Sequence, residues 1–389
     1  MAVYLDYNAS TPLCAEARTA MSAFLAESSH MSLCGNPSSS HGYGTAAAGV
    51  VDSARASVAA MLGVPDARDS IVFTSGGTEA NNWAIKGLLP HLTASGKTHV
   101  VTSNVEHPAV EVVLASLEAA GALTVTRVAV DAHGCVSADA VDAALRPETG
   151  LVTLMLANNE IGSLNPLQAI AELCAARGII VHTDASQAVG KIPVDVSSLG
   201  VDLLTVAGHK LYAPKGIGAL YIAPQLGPLL EPLMHGAGHE RGRRAGTEAT
   251  LLLAGLGAAA QAVVDHLEDR AAHMAATRDM LWTTLVTELE AVELVRNSPA
   301  SGLPNTLSVS FPDVLASDLL EAVRDEVAAS AGAACHAGEV TISRVIAAIG
   351  VPDKWARGTL RLSTGLYLTE DEAAAAGRAL AHGYRALQA

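Results

Sequence analysis

Short apolar runs alternate with longer segments of helical periodicity between about residue 70 and about residue 225. Most of the runs are apolar at consecutive positions, which is typical of a strand that is buried on both faces of a sheet. Strands that alternate with helices in this way form a mainly parallel sheet covered by helices. The predicted strands cover residues 70–73, 99–102, 123–128, 151–156, 178–181, 203–206 and 218–222.

The pattern changes beyond residue 250, where long alanine-rich segments of helical periodicity dominate. Only two strands, over residues 306–311 and 359–363, are predicted in this part of the chain. The change indicates a second, smaller α+β domain. We therefore predict an α/β fold with a large domain over residues 16–250 and a small domain made of residues 1–15 and 251–389.

The overall composition narrows the classes of partner. The chain has 389 residues, half of them hydrophobic, and a formal net charge of −15 at pH 7. This charge repels the phosphates of nucleic acids and of anionic lipid surfaces, so we expect neither as a partner. No apolar run approaches the length of a membrane span, and the first residues carry neither a basic region nor a long apolar stretch. We therefore expect a cytoplasmic protein.

The cysteines and histidines give no sign of a metal site. The five cysteines lie far apart, at positions 14, 34, 135, 174 and 335, and form neither a disulfide framework nor a metal knuckle. His235 and His239 have the spacing of metal ligands on a helix, but the glycines between them disfavour a helix. We expect reduced thiols and no metal.

Polar residues gather directly after five of the predicted strands. Because open parallel sheets bind ligands where the carboxyl ends of their strands meet, we expect these residues along one edge of the sheet. The five groups are residues 75–78, Glu106 with His107, residues 158–160, residues 184–187, and His209 with Lys210.

Two residues of this edge suit a carbonyl cofactor that contains a pyridine ring. Lys210 follows an apolar run, where burial lowers the pKa of a lysine and the neutral amine can form a Schiff base. Asp184 follows the apolar run 179–183, and a desolvated carboxylate there needs a cationic partner such as a protonated pyridine nitrogen. Taken singly, Lys210 is equally well interpreted as a solvated loop lysine and Asp184 as a helix cap.

Two further groups suit the rest of such a cofactor. Residues 75–78 turn from a strand into a helix predicted over 80–86, so backbone amides and the hydroxyls of Ser75 and Thr78 can bind a phosphate. His107 can stack on a flat ring and transfer protons. Taken alone, residues 75–78 are equally well interpreted as a simple tight turn. His107 alone is equally well interpreted as a histidine without a catalytic role.

The joint occurrence of these groups predicts pyridoxal 5'-phosphate as the cofactor. A lysine for the aldehyde, a carboxylate for the ring nitrogen, an imidazole for the ring face and a cup for the phosphate are all present at one predicted edge. The segment 235–247, rich in glycine and arginine, adds phosphate donors or forms a solvated loop.

Two residues of the predicted small domain can serve a substrate. Arg361 lies within a predicted strand, where a buried guanidinium needs a carboxylate partner. An amino-acid substrate can supply this carboxylate, and so can a salt bridge within the protein. Cys335 lies in the small-residue stretch 331–338, which we expect to be a mobile loop with an accessible thiol. His336 can favour its thiolate, so we predict a functional role for Cys335.

Across essentially the whole chain these motifs resemble the cysteine desulfurase family of fold-type I pyridoxal phosphate-dependent transferases, which includes the selenocysteine lyases. The resemblance rests on Tyr-Leu-Asp-Tyr-Asn-Ala-Ser-Thr-Pro at 4–12, Gly-Asn-Pro-Ser-Ser at 35–39, Phe-Thr-Ser-Gly-Gly-Thr-Glu-Ala-Asn-Asn at 73–82, Val-Glu-His at 105–107, Asn-Asn-Glu-Ile-Gly at 158–162, His-Thr-Asp-Ala-Ser-Gln at 182–187 and Gly-His-Lys at 208–210.

The resemblance implies a role for each residue of the predicted site. It implies that Lys210 binds the cofactor covalently, that Asp184 pairs with the pyridine nitrogen and that His107 stacks on the ring. It further implies contacts to the ring oxygen and the phosphate by Gln187, Gly77, Thr78 and His209. It also implies a homodimer in which Thr247 reaches the phosphate of the partner subunit, with Asn159 and Arg361 holding the substrate carboxylate.

The reaction implied is the removal of sulfur from L-cysteine, with L-alanine as the co-product and a persulfide on Cys335 for transfer to a protein acceptor. Two departures from the family pattern leave the substrate open. Ala207 and Gly208 precede His209 where many desulfurases have a serine, and the stretch 332–336 is more similar to animal selenocysteine lyases. Selenocysteine lyase is therefore the first alternative, and another aminotransferase or a carbon–sulfur lyase is the second.

Overall fold

The computed structural model describes residues 2–26, 34–336 and 339–389, and for residues 333–336, 339 and 340 it describes the backbone alone. The α-helices of the described residues are α1 Ala15–Leu25, α2 Gly42–Met61, α3 Gly77–Ala94, α4 Pro108–Ala119, α5 Ala138–Ala144, α6 Leu167–Ala175, α7 Val196–Leu199, α8 Thr250–Glu288, α9 Ala316–Ala322, α10 Arg344–Ala348, α11 Asp353–Ala356 and α12 Glu370–Gln388.

The strands of the same residues fall into one large sheet, one smaller sheet and two short pairs. They are β1 Val3–Tyr4, β2 Ile71–Thr74, β3 His99–Ser103, β4 Thr124–Val128, β5 Thr149–Met155, β6 Ile180–Asp184, β7 Leu203–Ala207, β8 Gly218–Ile222, β9 Val295–Arg296, β10 Thr306–Ser310, β11 Val327–Ala328, β12 Ser330–Ala331, β13 Ala333–His336, β14 Glu339–Ile342 and β15 Thr359–Ser363.

The large sheet has the strand order β2-β8-β7-β6-β5-β3-β4, and the prediction of a mainly parallel sheet is confirmed. Only β8 runs antiparallel to its neighbours in this sheet, β2 and β7. The segment 208–217 between β7 and β8 is too short for the helical crossover that a parallel pair needs. Because β2 and β7 are both antiparallel to β8, they point the same way, and the carboxyl ends of β2, β3, β5, β6 and β7 meet at one edge.

Helices cover both faces of this sheet, as its continuous apolar strands predict. Alternate strand residues face opposite clusters: Val100 packs in the cluster that contains Trp83 of α3, whereas Val101 packs in the cluster that contains Val58 of α2. The period of two along each strand therefore places one apolar layer on each face. Both layers hold the strand ends in place at the edge described above.

The C-terminal part contains a second, antiparallel sheet with the order β12-β15-β10-β9. Its apolar cluster includes Leu307, Leu360 and Leu380, and Leu5 of the N-terminal segment joins it. Helix α8 contributes to both parts, because Leu256 packs with the large sheet and Leu285 with the small one. The domain division at residue 250 therefore stays a prediction.

The expectation that no segment reaches the length of a membrane span is wrong for α8. This helix is long and apolar enough to cross a membrane by length and composition alone. Within this structure its residues Leu253, Leu256 and Val263 are buried in the core cluster that also contains Val58 of α2. A core helix of a folded protein meets the same criterion.

The segment around Cys335 is a hairpin and not the irregular loop that we expect from its small residues. Strands β13 and β14 pair antiparallel, with Cys335 opposite Val340. Val340, Thr341 and Ile342 are β-branched and favour a strand, which outweighs the small residues on the other side. The side chain of Cys335 lies outside the described residues.

A buried ion pair fixes the segment 235–249 to the large sheet. Arg55 of α2 donates two hydrogen bonds to the carboxylate of Glu240, at 2.8 and 2.9 Å, and both side chains are buried. Glu240 also accepts from the backbone N–H of Phe73 at 3.0 Å. Its φ of +48° lies in the left-handed region, which costs about 1 kcal/mol or more for a residue other than glycine.

We predict that Glu240→Gln lowers the free energy of unfolding by about 3 kcal/mol, because it leaves the Arg55 guanidinium buried without its counter-charge. Urea denaturation followed by circular dichroism measures the loss. The matched control is Glu321→Gln, which breaks an exposed pair with Arg324 and is expected to change the free energy by less than about 0.5 kcal/mol. Equal losses in the two variants would contradict the prediction.

Candidate active site

A cavity of about 390 Å³ opens where the strand ends meet. It brings together nine residues that were predicted from the sequence: Gly77, Thr78, His107, Asn159, Asp184, Gln187, His209, Lys210 and Arg361. Thr247 does not line this cavity, and the side chain of Cys335 lies outside the described residues. The cavity is also lined by residues that the sequence analysis did not assign to a site, among them Asn8, Asn81 and Ser186.

Lys210 ends a short 3₁₀ turn, Gly208–Lys210, that follows β7. Its Nζ donates to the backbone carbonyl oxygens of Asn8 and Ala9, the latter at 2.8 Å. Burial, together with the positive charge of Arg361, lowers the pKa of Lys210 to about 8. A substantial fraction of the amine is therefore neutral near pH 7 to 8, the form that attacks a carbonyl carbon.

Asp184 is the last residue of β6 and is buried at the floor of the cavity. Its Oδ2 accepts from Nδ2 of Asn81 at 2.7 Å, and its Oδ1 accepts from the backbone N–H of Ser186 at 2.9 Å. The alternative interpretation of Asp184 as a helix cap is wrong, because the next helix, α7, begins only at Val196 and is capped by Asp195. Two donors thus fix the orientation of a buried carboxylate.

His107 is the N-cap residue of α4, and its Nδ1 accepts from the backbone N–H of Ala109 at 3.1 Å. This bond assigns the proton of the neutral ring to Nε2. Burial lowers the pKa of His107, so the ring is neutral at neutral pH. Before it in the chain, Glu106 accepts from Ser103 Oγ at 2.7 Å and from the backbone N–H of Met155, which ties the ends of β3 and β5 together.

The phosphate cup forms at the first turn of α3. This helix begins at Gly77, three residues before the predicted start, so the backbone amides of its first turn are not used within the helix. A Cβ atom on Gly77 would lie 3.1 Å from Ser186 Oγ and 3.2 Å from the Cβ of Ala207. The absent side chain leaves these amides open to an anion, which the positive end of the helix dipole also favours.

Of two further residues predicted to bind the phosphate, His209 lines the cavity and Ser75 does not. His209 lines the cavity, and burial together with the charge of Lys210 lowers its pKa to about 4, so its ring is neutral. Ser75 is exposed and lies outside the cavity. The prediction that the Ser75 hydroxyl is a phosphate donor is therefore wrong for this cavity, because the strand turns at Gly76 and directs Ser75 away.

Arg361 already has a carboxylate partner within the chain. Its Nη2 donates to Asp6 Oδ1 at 2.8 Å and to Ser330 Oγ at 3.0 Å, and its Nη1 donates to the backbone carbonyl of Asn159 at 3.3 Å. The salt bridge with Asp6 thus accounts for a buried guanidinium in a strand. The Nε of Arg361 is buried and has no partner among the described residues, while Arg361 as a residue lines the cavity.

A second cavity, of about 410 Å³, adjoins the first at Asn159 and Arg361. It extends to Gly332 and Ser343, which flank the hairpin of β13 and β14, and to Thr341 of β14. Arg361 therefore lies between the strand-end cavity and the hairpin that carries Cys335.

Thr247 lies in a different place from the other predicted site residues. It is exposed and lines a small separate cavity with Ser75, Glu240 and Arg244. Arg244 donates to Glu79 in the first turn of α3 at 2.9 Å, so this segment packs behind the phosphate cup and not inside it. Among the described residues, no group of three or more acidic, histidine or cysteine side chains is placed to hold a metal.

Comparison with known proteins agrees with this geometry. Residues 3–375 match the model of the family described as aminotransferase class-V. The cysteine desulfurase IscS of Serratia proteamaculans is 42% identical over 371 residues, which cover 95% of this chain and 89% of that protein. A solved NifS-like protein shares 33% identity with a TM-score of 0.88 over all of both chains. A structure of SspA in complex with cysteine shares 35% identity with a TM-score of 0.80, covering 94% of this chain and 99% of that one.

The fold and the strand-end cavity with its lysine, aspartate and histidine define a fold-type I pyridoxal phosphate enzyme. The chain belongs to the class-V aminotransferase family and, within it, to the cysteine desulfurases. The cofactor of this family is pyridoxal phosphate. The residues present fit it, because the glycine cup at α3 can accept a phosphate, the oriented Asp184 carboxylate suits a protonated ring nitrogen, and Lys210 presents a neutral amine.

We predict that the reaction of Lys210 with pyridoxal phosphate has its midpoint near pH 8, because only the neutral amine attacks the aldehyde. Apoprotein is incubated with the cofactor and cyanoborohydride across a pH series, and the labelled peptide is measured by mass spectrometry. Arg361→Met should move the midpoint to higher pH, since removal of a positive charge favours the protonated amine. Exposed Lys86, read in the same digest, is the reference, and a common midpoint for both lysines would refute the prediction.

Proposed function

We propose that the protein is a pyridoxal phosphate-dependent cysteine desulfurase that converts L-cysteine to L-alanine and leaves the sulfur as a persulfide on Cys335. The observation that carries this function is the convergence of Lys210, Asp184 and His107 in one cavity next to the hairpin of Cys335. The desulfurase names of relatives that cover nearly the whole chain support the same reaction.

The bound cofactor supplies an electron sink for the pair left on the substrate Cα when its proton departs. Lys210 takes that proton on Nζ, whose lowered pKa of about 8 leaves the amine free to act as a base. The carbonyl oxygens of Asn8 and Ala9 hold this nitrogen in place within the cavity. Asp184, oriented by Asn81, keeps a negative charge where a ring nitrogen must stay protonated.

Substrate positioning falls to Asn159 and Arg361. Both line the cavity, and the guanidinium of Arg361 offers charged donors that suit the carboxylate of an amino acid. Asp6 and Ser330 hold the other side of the guanidinium and so fix its plane. The residues that bind the substrate carboxylate thus lie on the boundary of the second cavity, toward Cys335.

The sulfur step needs no external oxidant or reductant. The Cys335 thiolate attacks the substrate sulfur, an S–S bond forms, and the substrate Cβ–S bond breaks with its electron pair staying on the carbon side. That pair is used when Cβ takes up a proton, which gives the methyl group of alanine. The second sulfur remains on Cys335 as a persulfide, which we propose is transferred to a protein acceptor in the cytoplasm.

We further propose that the active unit is a homodimer. Thr247 is exposed in the single chain and lies outside its own cavity, as does most of the segment 235–247. A role of Thr247 at a phosphate therefore requires the cavity of a second copy. The ion pair of Arg55 with Glu240 holds this segment rigidly at the surface, where it can present Thr247 to a partner.

We predict that incubation of the holoprotein with L-cysteine adds one sulfur atom to the peptide that contains Cys335, as measured by mass spectrometry after trapping with an alkylating reagent. Cys335→Ala should keep the visible absorbance of the bound cofactor and lose both the adduct and sulfide release. Cys135→Ala removes a thiol that is remote from the cavity and serves as the matched control.

An unmodified Cys335 under these conditions would overturn the proposed persulfide. Full sulfide release by Cys335→Ala would instead indicate a carbon–sulfur lyase that does not use the thiol. Parallel assays with L-selenocysteine separate the remaining alternative, because alanine formation from selenocysteine alone would identify a selenocysteine lyase.

The dimer is tested with a hybrid of two variant chains, assayed at a pyridoxal phosphate concentration low enough that the Thr247→Ala protein alone is inactive. Thr247→Ala should weaken cofactor binding, and Lys210→Ala should abolish desulfuration. If Thr247 serves the partner's cavity, a hybrid of the two variants contains one site with intact Lys210 and intact Thr247, and we expect about half of the wild-type activity. A hybrid as inactive as its parents, or a single-chain mass by light scattering, would contradict the homodimer.

A further inference from the structure

Lys191 is a buried lysine that the reaction described above does not use. It is 1% exposed and does not line the strand-end cavity. Its Nζ donates to Asn8 Oδ1 at 2.7 Å and to Gln187 Oε1 at 2.6 Å. Among the residues that the structure describes, no carboxylate forms an ion pair with it.

A buried amine without a counter-charge is costly, and an apolar side chain of the same length would be more stable at this place. Burial and the positive charges of Lys210 and Arg361 hold the pKa of Lys191 well below its usual range. Its two hydrogen bonds both go to amide oxygens of residues that line the cavity, Asn8 and Gln187. The burial of Lys191 therefore serves the orientation of these two amides.

The bond to Gln187 decides which end of its amide faces the cavity. Because Lys191 occupies Oε1, the Nε2 group is left to donate on the other side, and it donates to the backbone carbonyl oxygen of Asn8 at 3.0 Å. Without this lysine, only the bond to the Asn8 carbonyl oxygen distinguishes the two ends of the amide, which are nearly equivalent in shape, so the orientation is less firmly fixed.

The carbonyl oxygen of Asn8 accepts from Lys210 as well as from Gln187. The two donor nitrogens therefore lie side by side. In pyridoxal phosphate the aldehyde carbon that the lysine attacks and the ring hydroxyl oxygen are carried by neighbouring ring atoms. The donor next to Lys210 is consequently the group that meets this oxygen.

We propose that Lys191 is a positioning residue that locks the Gln187 amide with its N–H donors toward the ring oxygen of the cofactor. It thereby sets the acidity of the proton shared between that oxygen and the Lys210 nitrogen. This inference rests on the assignment of pyridoxal phosphate to the cavity. Lys191 acts through Gln187 and touches neither substrate nor cofactor.

Other charged and titratable groups face the same region and must be held constant in a test. They are Asp184 on β6, His107 at the start of α4, His209 in the turn after β7, and Arg361 on β15 with its partner Asp6. A substitution of Lys191 removes none of these groups, but it does remove the electrostatic interaction of Lys191 with Lys210 and Arg361, so the contact with Gln187 must be isolated in a Gln187→Ala background.

The test compares Lys191→Met, Lys191→Gln and Asn305→Ala in the holoprotein. Lys191→Met removes the donor, whereas the Lys191→Gln amide keeps an N–H donor for Gln187 without a charge. Asn305→Ala is the matched control, because Asn305 donates to the same Asn8 oxygen at 2.9 Å but does not contact Gln187. For each variant, the visible absorbance of the bound cofactor is titrated with pH, and the dissociation constant of pyridoxal phosphate is measured on the apoprotein.

We expect Lys191→Met to raise the pH midpoint of the absorbance change by about one pH unit, because the anionic ring oxygen loses a donor and its protonated form is favoured. Cofactor binding should weaken by about tenfold, the effect of one lost hydrogen bond. Lys191→Gln should restore most of both properties, and Asn305→Ala should leave the midpoint unchanged.

A double-variant cycle shows whether Lys191 acts through Gln187. In a Gln187→Ala background the further change Lys191→Met should not move the midpoint again. A folded Lys191→Met protein that titrates like wild type would overturn the proposal, as would an equal shift in Asn305→Ala. If Lys191→Met does not fold, the pH midpoint of the cofactor absorbance is compared between the Lys191→Gln and Gln187→Ala proteins instead. A wild-type protein that does not bind pyridoxal phosphate would instead overturn the proposed function.

Discussion

The most connected polar residue of the structure is Asn8, whose burial is possible only because all of its hydrogen-bonding groups are used. Its carbonyl oxygen accepts from Lys210 and Gln187, and its backbone N–H donates to Ser363. The side chain accepts from Lys191 and Asn305 and donates to Asn159 and Thr306. One residue of the N-terminal segment thus joins the strand-end cavity of the large sheet to β10 and β15 of the small sheet. The cavity and the packing of the two sheets depend on the same set of bonds.

Much of the fold follows from patterns that lie close together in the chain. The large sheet was predictable because most of its strands are apolar runs, and strands buried on both faces leave that signal, whereas the edge strand β4 mixes polar and apolar residues. The reversal of β8 follows from the short segment before it, a geometric limit that the apolar pattern alone does not reveal. The hairpin of β13 and β14 was missed because small residues on one strand obscured the β-branched residues on the other.

The residues of the candidate site also fall into those that the sequence pattern predicts and those that only the tertiary structure brings together. Lys210, Asp184 and His107 were predictable because each directly follows a strand, and parallel strands end at a common edge. Lys191 gave no signal, since a lysine is usually solvated and only the tertiary structure buries this one. The pairing of Arg361 with Asp6 joins residues that are hundreds of positions apart, so the sequence could indicate the need for a carboxylate but not its source. Thr247 lies outside the strand-end cavity of its own chain, and its proposed place at the phosphate of a second copy follows from the family resemblance alone.

The hairpin of β13 and β14 pairs with no further strand among the described residues. Its base is held by two backbone bonds, from Gly332 to the carbonyl of Thr359 and from Ser343 to the carbonyl of Gly332. A two-stranded ribbon is only marginally stable by itself, so its opening costs little compared with unfolding of either sheet. Cys335, the residue proposed to receive the sulfur, is thereby carried on a ribbon that can open without unfolding of either sheet. In the proposed reaction, sulfur can then be delivered while the rest of the enzyme keeps the rigidity that its chemistry needs.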